Sequence, residues 1–424
     1  AFDPADRYQN VQALLLAIRN VRRQTERGEN KWLKAVVEIE SIVLLLVLAG
    51  VLFFWTGFQK TKNMEEEDYA AAIAERQIKQ QDESAEDLSA QADSEEIVTL
   101  EGDPLLLQAI RETAGSNEVT KRMLSGITRI AVIGDQIYTE ETPVEDLENI
   151  VYQDGFNDGM VNGGITDLSV LTNLPNLKEV FLCNQKISDI SPLQELPIEG
   201  LYVCGNQIKD FSPVEKMQEL STLYLVDNPV GKMPQLSGCT KLTRLALCGN
   251  DYETLDFLQG SSVCNLYAMG IYVEDESFGV LSTMQSLTEL YTGSEQKQFY
   301  EILPELTELR TLSLWGGNFG TDLTIVSKLV NLQNLFVNDE FVTSLSGIEN
   351  LQRLEVFCMD GTNATDISPL TKLPRLQVVR LQGVPIVEFA PLFSCHSLQE
   401  VEADSSQKEK IEQLGDPVFM ISVE

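Results

Sequence analysis

Apolar residues recur through most of this chain with a period close to 22 residues, from Ile127 to Leu398. A segment of this length holds a short strand, a turn and a return stretch. It cannot bury its own apolar edge unless similar segments stack on it. The period therefore predicts a solenoid of about 13 stacked coils with short parallel strands. The clearest copy has offsets 0, 3, 5, 10, 13 and 16 occupied by Leu177, Val180, Leu182, Ile187, Ile190 and Leu193.

The regularity of the repeat changes along the chain. The copies that begin at Val263, Leu287 and Leu309 keep the spacing loosely, whereas those before and after them keep it closely. Near the start of the repeats, a coil is expected at Leu147, interrupted by a polar insertion at residues 154–164. This insertion holds acids and glycines, but their spacing does not fit a calcium loop, so we expect a surface loop. At the other end, residues 418–423 have strand character and are expected to close the last coil.

Two polar features mark the corners of the predicted coils. Asn206, Asn228 and Asn250 share offset 8, where a side-chain amide can bond to the backbone that turns after the strand. Serine followed by proline suits the N-cap and first turn of a short helix on the outer side. These pairs are Ser191-Pro192, Ser212-Pro213 and Ser368-Pro369.

The phrase LPNLKEVFLCNQKISDISPLQELP, residues 174–197, resembles the leucine-rich repeats of bacterial internalin-like proteins. The segment DPLLLQAIRETAGSNEVTKRMLSGITRIAVIG, from residue 103, is similar to the helical caps that precede such repeats. The resemblance implies an α/β leucine-rich repeat solenoid over residues 127–424. It also implies a helical cap over residues 103–126, which would shield the open edge of the first coil.

A membrane span is predicted before the repeats. The run IVLLLVLAGVLFFWTGF, residues 42–58, has no charge and extends back to residue 35 if two glutamates lie at the headgroups. This length crosses the hydrocarbon layer, and Trp32 and Trp55 lie where interfacial aromatic residues belong. A buried core helix is the alternative, but uninterrupted apolar runs of this length are unusual in globular helices. We predict a transmembrane helix over residues 35–58.

Charge on either side of this span predicts its orientation. Residues 25–34 form a basic juxtamembrane segment, and residues 59–102 form an acidic stalk of a solvated helix or disordered chain. Basic flanks stay in the cytoplasm, so the N-terminus is expected inside and the repeats outside the cell. The whole chain carries 65 acidic and 31 basic residues, a net charge of −34, which argues against nucleic acid as a partner.

Residues 1–24 resemble the last helix of bacterial serine/threonine protein kinase domains. The resemblance rests on Asp3, Pro4, Arg7, Tyr8 and the amphipathic stretch 11–18. It implies that the chain is the C-terminal part of a longer receptor-like kinase. The alternative is an ordinary cytoplasmic amphipathic helix. The glycine-rich loop, the strand lysine and the catalytic and metal-binding kinase motifs are missing from this sequence, so we expect no phosphoryl transfer.

The repeats also lack the residues of other enzymes. Their one histidine, His396, follows Cys395, and adjacent side chains point in different directions, so they do not form a catalytic pair. We predict no catalytic residues, no metal site and no cofactor. The seven cysteines are expected to be free thiols, although Cys183 and Cys204 share offset 6 in consecutive coils and could bond.

The predicted binding surface is the concave face of the sheet. Side chains alternate across a strand, so offsets 2, 4 and 6 must face away from the core. Offset 4 is aromatic in six of the eight copies that begin from Leu177 to Leu332, and an exposed aromatic row is typical of binding surfaces. The alternative is a packing ladder of rings that stabilise each other. The predicted ligand-binding residues are Phe181, Tyr202, Tyr224, Arg244, Tyr267, Tyr291, Trp315, Phe336 and Arg380.

Together these features favour a single-pass membrane receptor or sensor fragment. Its extracytoplasmic repeats would bind a protein, a peptide or a cell-wall glycan, and self-association would pass the signal across the membrane. The alternative is a surface adhesin or structural interaction protein without a signalling role. The kinase-like start of the chain favours signalling.

Overall fold

The apolar repeat forms one long sheet in the computed structural model, which describes residues 95–152, 162–274, 277–294, 296–316 and 319–423. Within these residues the sheet has 14 strands, of which Gln136–Tyr138 alone is antiparallel and lies at the first edge. Two short strands, β7 (Asp251–Tyr252) and β9 (Tyr272–Val273), pair separately. The strands of the long sheet are β1 Arg129–Ile133, β2 Gln136–Tyr138, β3 Glu179–Cys183, β4 Gly200–Tyr202, β5 Thr222–Tyr224, β6 Arg244–Ala246, β8 Asn265–Met269, β10 Glu289–Gly293, β11 Thr311–Trp315, β12 Asn334–Asn338, β13 Val356–Cys358, β14 Val378–Arg380, β15 Glu400–Ala403 and β16 Met420–Val423.

The strands stand where the repeat predicted them. From β1 to β15, each parallel strand of the long sheet begins two residues after a predicted apolar anchor, as β3 does after Leu177. The strand predicted at the end of the chain is confirmed, because β16 pairs in parallel with β15. The coil predicted at Leu147 is wrong: β1 pairs directly with β3, and Leu147 lies in a helix between them.

Side chains alternate across each strand as expected. In β3, Val180 and Leu182 point into the main core inside the coils, whereas Phe181 and Cys183 belong to a second apolar cluster on the opposite side. The in-register pairing of Phe181 with Tyr202 repeats this alternation in the next coil. The main core is therefore narrow and continuous along the solenoid, and offset 4 lies on the concave face as predicted.

The asparagines at offset 8 join neighbouring coils. Asn206 Nδ2 donates to the carbonyl of Leu182 at 2.7 Å, and its Oδ1 accepts from the N–H of Ile187 at 3.1 Å. Asn228 makes equivalent bonds one coil further on, and Asn250 Nδ2 donates to the carbonyl of Leu225 while its Oδ1 accepts from the N–H of Asn228. The predicted corner role is confirmed, and the longer side chain of Gln185 fills the same position in the coil before.

Short 3₁₀ helices form the return stretches on the outer side, and the predicted serine N-caps are wrong. The N–H of Ser191 donates to Oδ1 of Asp189 at 2.8 Å, and Ser212 and Ser368 bond in the same way to aspartates two residues earlier. A carboxylate is a stronger acceptor than a hydroxyl. The 3₁₀ helices are Ser169–Asn173, Ser191–Leu193, Ser212–Lys216, Leu236–Gly238, Asp256–Leu258, Phe278–Thr283, Leu303–Glu305, Thr324–Val326, Ile348–Asn350, Ser368–Lys372 and Ala390–Ser394.

Replacing Asp189 with Ala should lower the free energy of unfolding by about 1 kcal/mol, because the N–H of Ser191 loses its acceptor. Chemical denaturation of the two proteins side by side measures the difference. Asp189→Asn keeps the side-chain oxygen and is expected to lose less. An equal loss in the Asn variant would contradict this explanation.

Five α-helices flank or interrupt the sheet in the described residues. The first two precede β1, and their buried residues, Leu106, Ile110 and Leu124 among them, belong to the main core. Residues 95–102, expected at the end of the stalk, contact the segment that joins these two helices, since the N–H of Val98 donates to the carbonyl of Val119. The role of these helices as a cap stays a prediction. The helices are α1 Pro104–Ala114, α2 Lys121–Gly126, α3 Val144–Tyr152, α4 Lys297–Ile302 and α5 Ser405–Leu414.

The regions predicted at the start of the chain lie outside the described residues. These are the kinase-like segment 1–24, the basic segment 25–34, the transmembrane segment 35–58 and the stalk up to residue 94. Most of the insertion at residues 154–164 lies outside them too. Among the residues that are described, no helix combines the length and the apolar character that a membrane span requires.

Candidate binding surface on the concave face

Helix α3 covers the first part of the concave face. The chain leaves β1 through a tight turn at Gly134, whose φ is 61°, and returns as the edge strand β2, after which α3 begins at Val144. Leu147 of α3 is fully buried in the second apolar cluster, which also contains Val151 and concave-facing residues of β1 and β3 to β6. Helix α3 therefore occupies the surface in front of the first coils.

The local sequence explains why α3 forms and which side it buries. Val144, Leu147 and Val151 recur at helical spacing and make one apolar face, while Glu145 and Asp146 lie in the first turn, where acids favour the helix dipole. The first coils offer a matching apolar surface. A helix of nine residues would be marginal alone, so its packing on the sheet supplies most of its stability.

The expected exposure of three predicted site residues is wrong. Phe181, Tyr202 and Tyr224 are at most 2% exposed, because α3 packs over them. Their rings are stacked or edge-on to each other, with centroids 3.9 Å apart from Phe181 to Tyr202 and 4.8 Å apart from Tyr202 to Tyr224. In this part of the face, the contacts match the packing ladder that was the alternative to ligand binding.

Glu148 of α3 holds the helix to the sheet through polar contacts. The hydroxyl of Tyr202 donates to its Oε1, and Arg244 Nη2 donates to its Oε2 at 2.9 Å. The same Arg244 nitrogen lies 2.7 Å from the hydroxyl of Tyr224, and the guanidinium lies 5.6 Å above the Tyr224 ring. Arg244, a predicted ligand residue, is thus engaged by the chain's own helix.

The aromatic row continues beyond α3 into an open part of the face. Tyr267 and Tyr291 are half-buried and stack with ring centroids 4.3 Å apart and planes 10° from parallel. Phe336 is half-buried as well, and Trp315 is 47% exposed, with its Nε1 donating to Ser313 Oγ at 2.7 Å. These four predicted residues are accessible from the concave side. Their role in binding stays a prediction.

The last predicted residue, Arg380, lies in an acidic surrounding further along the sheet. Its Nε contacts Asp360 Oδ2 closely and lies 3.8 Å from Glu402 Oε2. Burial raises the pKa of Asp360 above its usual value, although Arg380 opposes the shift. With two carboxylates around one guanidinium, this end of the concave face carries net negative charge.

Glu289 adds a buried carboxylate beside Tyr291. It is 5% exposed, and its Oε2 accepts from Asn265 Nδ2 at 2.8 Å. Burial raises the pKa of Glu289 to about 7, against the opposing effect of Arg244. Burial likewise raises the pKa of Glu179 to about 7, and the Glu148 carboxylate adds to that shift. Both glutamates occupy offset 2 of their coils.

Replacing Glu289 with Gln should stabilise the protein at alkaline pH. The usual pKa of the glutamate is 4.5 and the folded value is about 7, so between these pH values the folded state holds a proton that the unfolded chain releases. Stability falls as pH rises through this window. The Gln variant does not titrate and so avoids this loss. Relative to wild type, its free energy of unfolding should be higher by at most about 3 kcal/mol at pH 8 and equal at pH 4. Denaturation at both pH values measures this.

The exposed Glu308 gives the control. Glu308→Gln should leave the difference in the free energy of unfolding between pH 4 and pH 8 as it is in the wild type. A Glu289→Gln variant whose gain is equal at both pH values would contradict the titration of this carboxylate.

All seven cysteines are free thiols in the structure. Cys183 and Cys204 are both buried in the second apolar cluster, and burial raises the pKa of the Cys204 thiol. Elsewhere, no group of histidine, cysteine or carboxylate side chains within the described ranges is arranged to hold a metal ion.

Sequence patterns missed the residues of α3 that contact the face. Leu147 was assigned to a coil, because the 22-residue spacing also places an anchor there. A signal was present in VEDLENIV, residues 144–151, where apolar residues follow helical spacing and acids begin the segment. A helix predicted at residues 144–151 would have to bury its apolar face against another part of the fold.

Stacked coils with a parallel concave sheet and return stretches on the outer side define this fold as a leucine-rich repeat solenoid. An internalin from Listeria monocytogenes is similar in structure, with a TM-score of 0.52 and 20% identity, over 76% of this chain and 90% of that chain. A leucine-rich repeat protein from Leptospira interrogans aligns with a TM-score of 0.45 and 19% identity, over 61% and 75%. No protein-family model and no curated protein matches the chain. At this identity, the similarity to the internalin supports the fold alone.

Proposed function

We propose that the repeats bind a protein or peptide ligand on the open part of the concave face. The observation that carries this proposal is the accessible aromatic row of Tyr267, Tyr291, Trp315 and Phe336 on adjacent strands of a continuous sheet. Large rings held on a rigid surface bind partners at low entropic cost. Neighbouring α3 fills the first part of the face, so the ligand site begins at β8.

The proposal extends to a receptor in the cell membrane. The apolar segment 35–58 and its basic flank support a single span with the repeats outside the cell. The kinase-like segment 1–24 supports a signalling role on the inner side, carried out by a longer protein. This chain acts as the binding part and has no enzymatic role of its own.

Binding is tested with Tyr267→Ser and Tyr291→Ser combined in the full chain, purified in detergent. Bacterial surface proteins are passed over immobilised wild type, double variant and Tyr272→Ser, and the bound proteins are identified. Tyr272 is exposed but lies in β9, outside the long sheet. We expect a partner that the wild type and Tyr272→Ser retain and the double variant loses. Equal capture by all three, with unchanged unfolding temperatures, would exclude the aromatic row as the site.

Membrane topology is tested by protease treatment of intact bacteria that carry the chain with an N-terminal tag. We expect the repeats to be removed while the tag, inside the cell, survives. Repeats that stay intact until the cells are opened would overturn the extracytoplasmic placement. Lysed cells serve as the control that the protease can cleave the tag.

A further inference from the structure

The open concave face is acidic as well as aromatic. From β8 to the turn after β15, its half-buried positions carry three carboxylates and one guanidinium, that of Arg380, whereas Glu289 and Glu400 are buried. Arg380 is itself bracketed by Asp360 and Glu402. Residues 95–424 as a whole hold 49 acidic and 20 basic residues, a net charge of −29. A partner with negative charge would be repelled at long range and on contact. The three carboxylates are Asp360, Glu402 and Asp404.

The covered part of the face shows how this surface binds a cation. There Arg244 lies over the ring of Tyr224, bonds to its hydroxyl and pairs with the Glu148 carboxylate. The Tyr224 hydroxyl and the Glu148 carboxylate thus both bind one nitrogen of the guanidinium, which lies beside the Tyr224 ring. The open part offers the same groups, with tyrosine rings at Tyr267 and Tyr291 and carboxylates further along the sheet.

The dimensions fit an extended segment. Seven adjacent strands from β8 to β15 span about 29 Å at the usual strand spacing. An extended chain covers that distance with about nine residues. Alternate side chains of such a segment point to the same side, so basic residues at every second position would face the sheet.

We propose that this open surface binds an extended protein segment rich in lysine or arginine. The inference rests on the proposed function and names the chemistry of its partner. The aromatic rings contact the aliphatic stems and cationic groups of the segment, and the carboxylates around Arg380 pair with its charges. Binding weakens as salt concentration rises, because charge pairs on an open surface are screened.

The probe is a ten-residue peptide of alternating Lys and Ser, capped at both ends, titrated calorimetrically into the full chain in detergent at 0.15 M NaCl. Matched peptides carry Glu or Nε-acetyl-lysine in place of Lys. We expect the Lys peptide alone to bind. The combined change Asp360→Asn and Glu402→Gln reverses the local charge around Arg380 and should weaken binding about tenfold. Tyr267→Ser with Tyr291→Ser should weaken it as much.

Glu305→Gln with Glu308→Gln is the control, because it removes two exposed carboxylates outside the sheet. Binding in this control should stay within about twofold of wild type. An equal loss in the control, binding of the Glu or acetylated peptide, or no binding of the Lys peptide would overturn the inference. So would a natural partner that needs Tyr267 and Tyr291 but tolerates loss of Asp360 and Glu402. That last result would leave the proposed function standing. A self-associated dimer or a glycan captured at this face would also overturn it.

Discussion

Replacing Leu147 with Asp should detach α3 from the concave face and leave the solenoid folded. Leu147 is fully buried between α3 and the sheet, and a carboxylate there has no partner in the apolar cluster. Truncation of a buried leucine alone lowers the free energy of unfolding by about 2–5 kcal/mol. A nine-residue helix has too little stability of its own to offset that loss. Hydrogen exchange followed by mass spectrometry should show loss of protection in residues 144–152.

The solenoid should survive this change because its main core is a separate apolar cluster inside the coils. Peptides from β8 to β15 should therefore keep their protection. Leu147→Ala should show the same local effect more weakly, and Glu145→Gln, on the exposed side of α3, should show none. Unchanged exchange of α3 in the Asp variant would mean that the helix is held by other contacts than those of Leu147.

Replacing Asn228 with Ala should destabilise the whole repeat region by about 3–5 kcal/mol. Asn228 Oδ1 accepts from the N–H of Ile208 at 3.1 Å, and its Nδ2 donates to the carbonyls of Val203 and Leu225. The variant leaves the buried Ile208 N–H without an acceptor, at about 1–3 kcal/mol, and loses two further bonds worth about 1 kcal/mol each. Urea denaturation measures the loss.

Asn176 provides a matched control, because its exposed side chain makes one hydrogen bond to the carbonyl of Ser125. Asn176→Ala should cost less than about 1 kcal/mol. If both variants lose the same free energy of unfolding, burial of the Asn228 side chain does not determine how much it stabilises the protein. Loss of cooperativity in Asn228→Ala alone would support coupling between neighbouring coils through this residue.

The regular part of the fold was predictable from sequence because each coil buries apolar residues at the same offsets. Leu177 and its equivalents fix the start of each strand, and the offset-8 amides fix the turn after it. The serine caps were mispredicted because both serine and the aspartate before it can accept a hydrogen bond. Which of the two side chains accepts the bond depends on its distance from the backbone N–H in the folded turn, and for Ser191 the Asp189 oxygen lies 2.8 Å away.

The binding surface was only partly predictable, and the reason is tertiary. Alternation along a strand places Tyr202 and Tyr267 on the same face, but it carries no information about what packs on that face. Contact between Glu148 and Arg244 joins residues 96 positions apart, on elements of different type. Local periodicity cannot detect such a contact, so the buried and open halves of the aromatic row looked alike in sequence.

Trp315 makes the inner surface directly observable in solution. It is the only one of the chain's three tryptophans within the repeats, since Trp32 and Trp55 flank or enter the apolar segment near the N-terminus. Indole emission shifts to shorter wavelength when water leaves the ring, so occupation of the neighbouring strands can be followed without a label. Subtracting the spectrum of a Trp315→Phe protein isolates this one fluorophore from the other two.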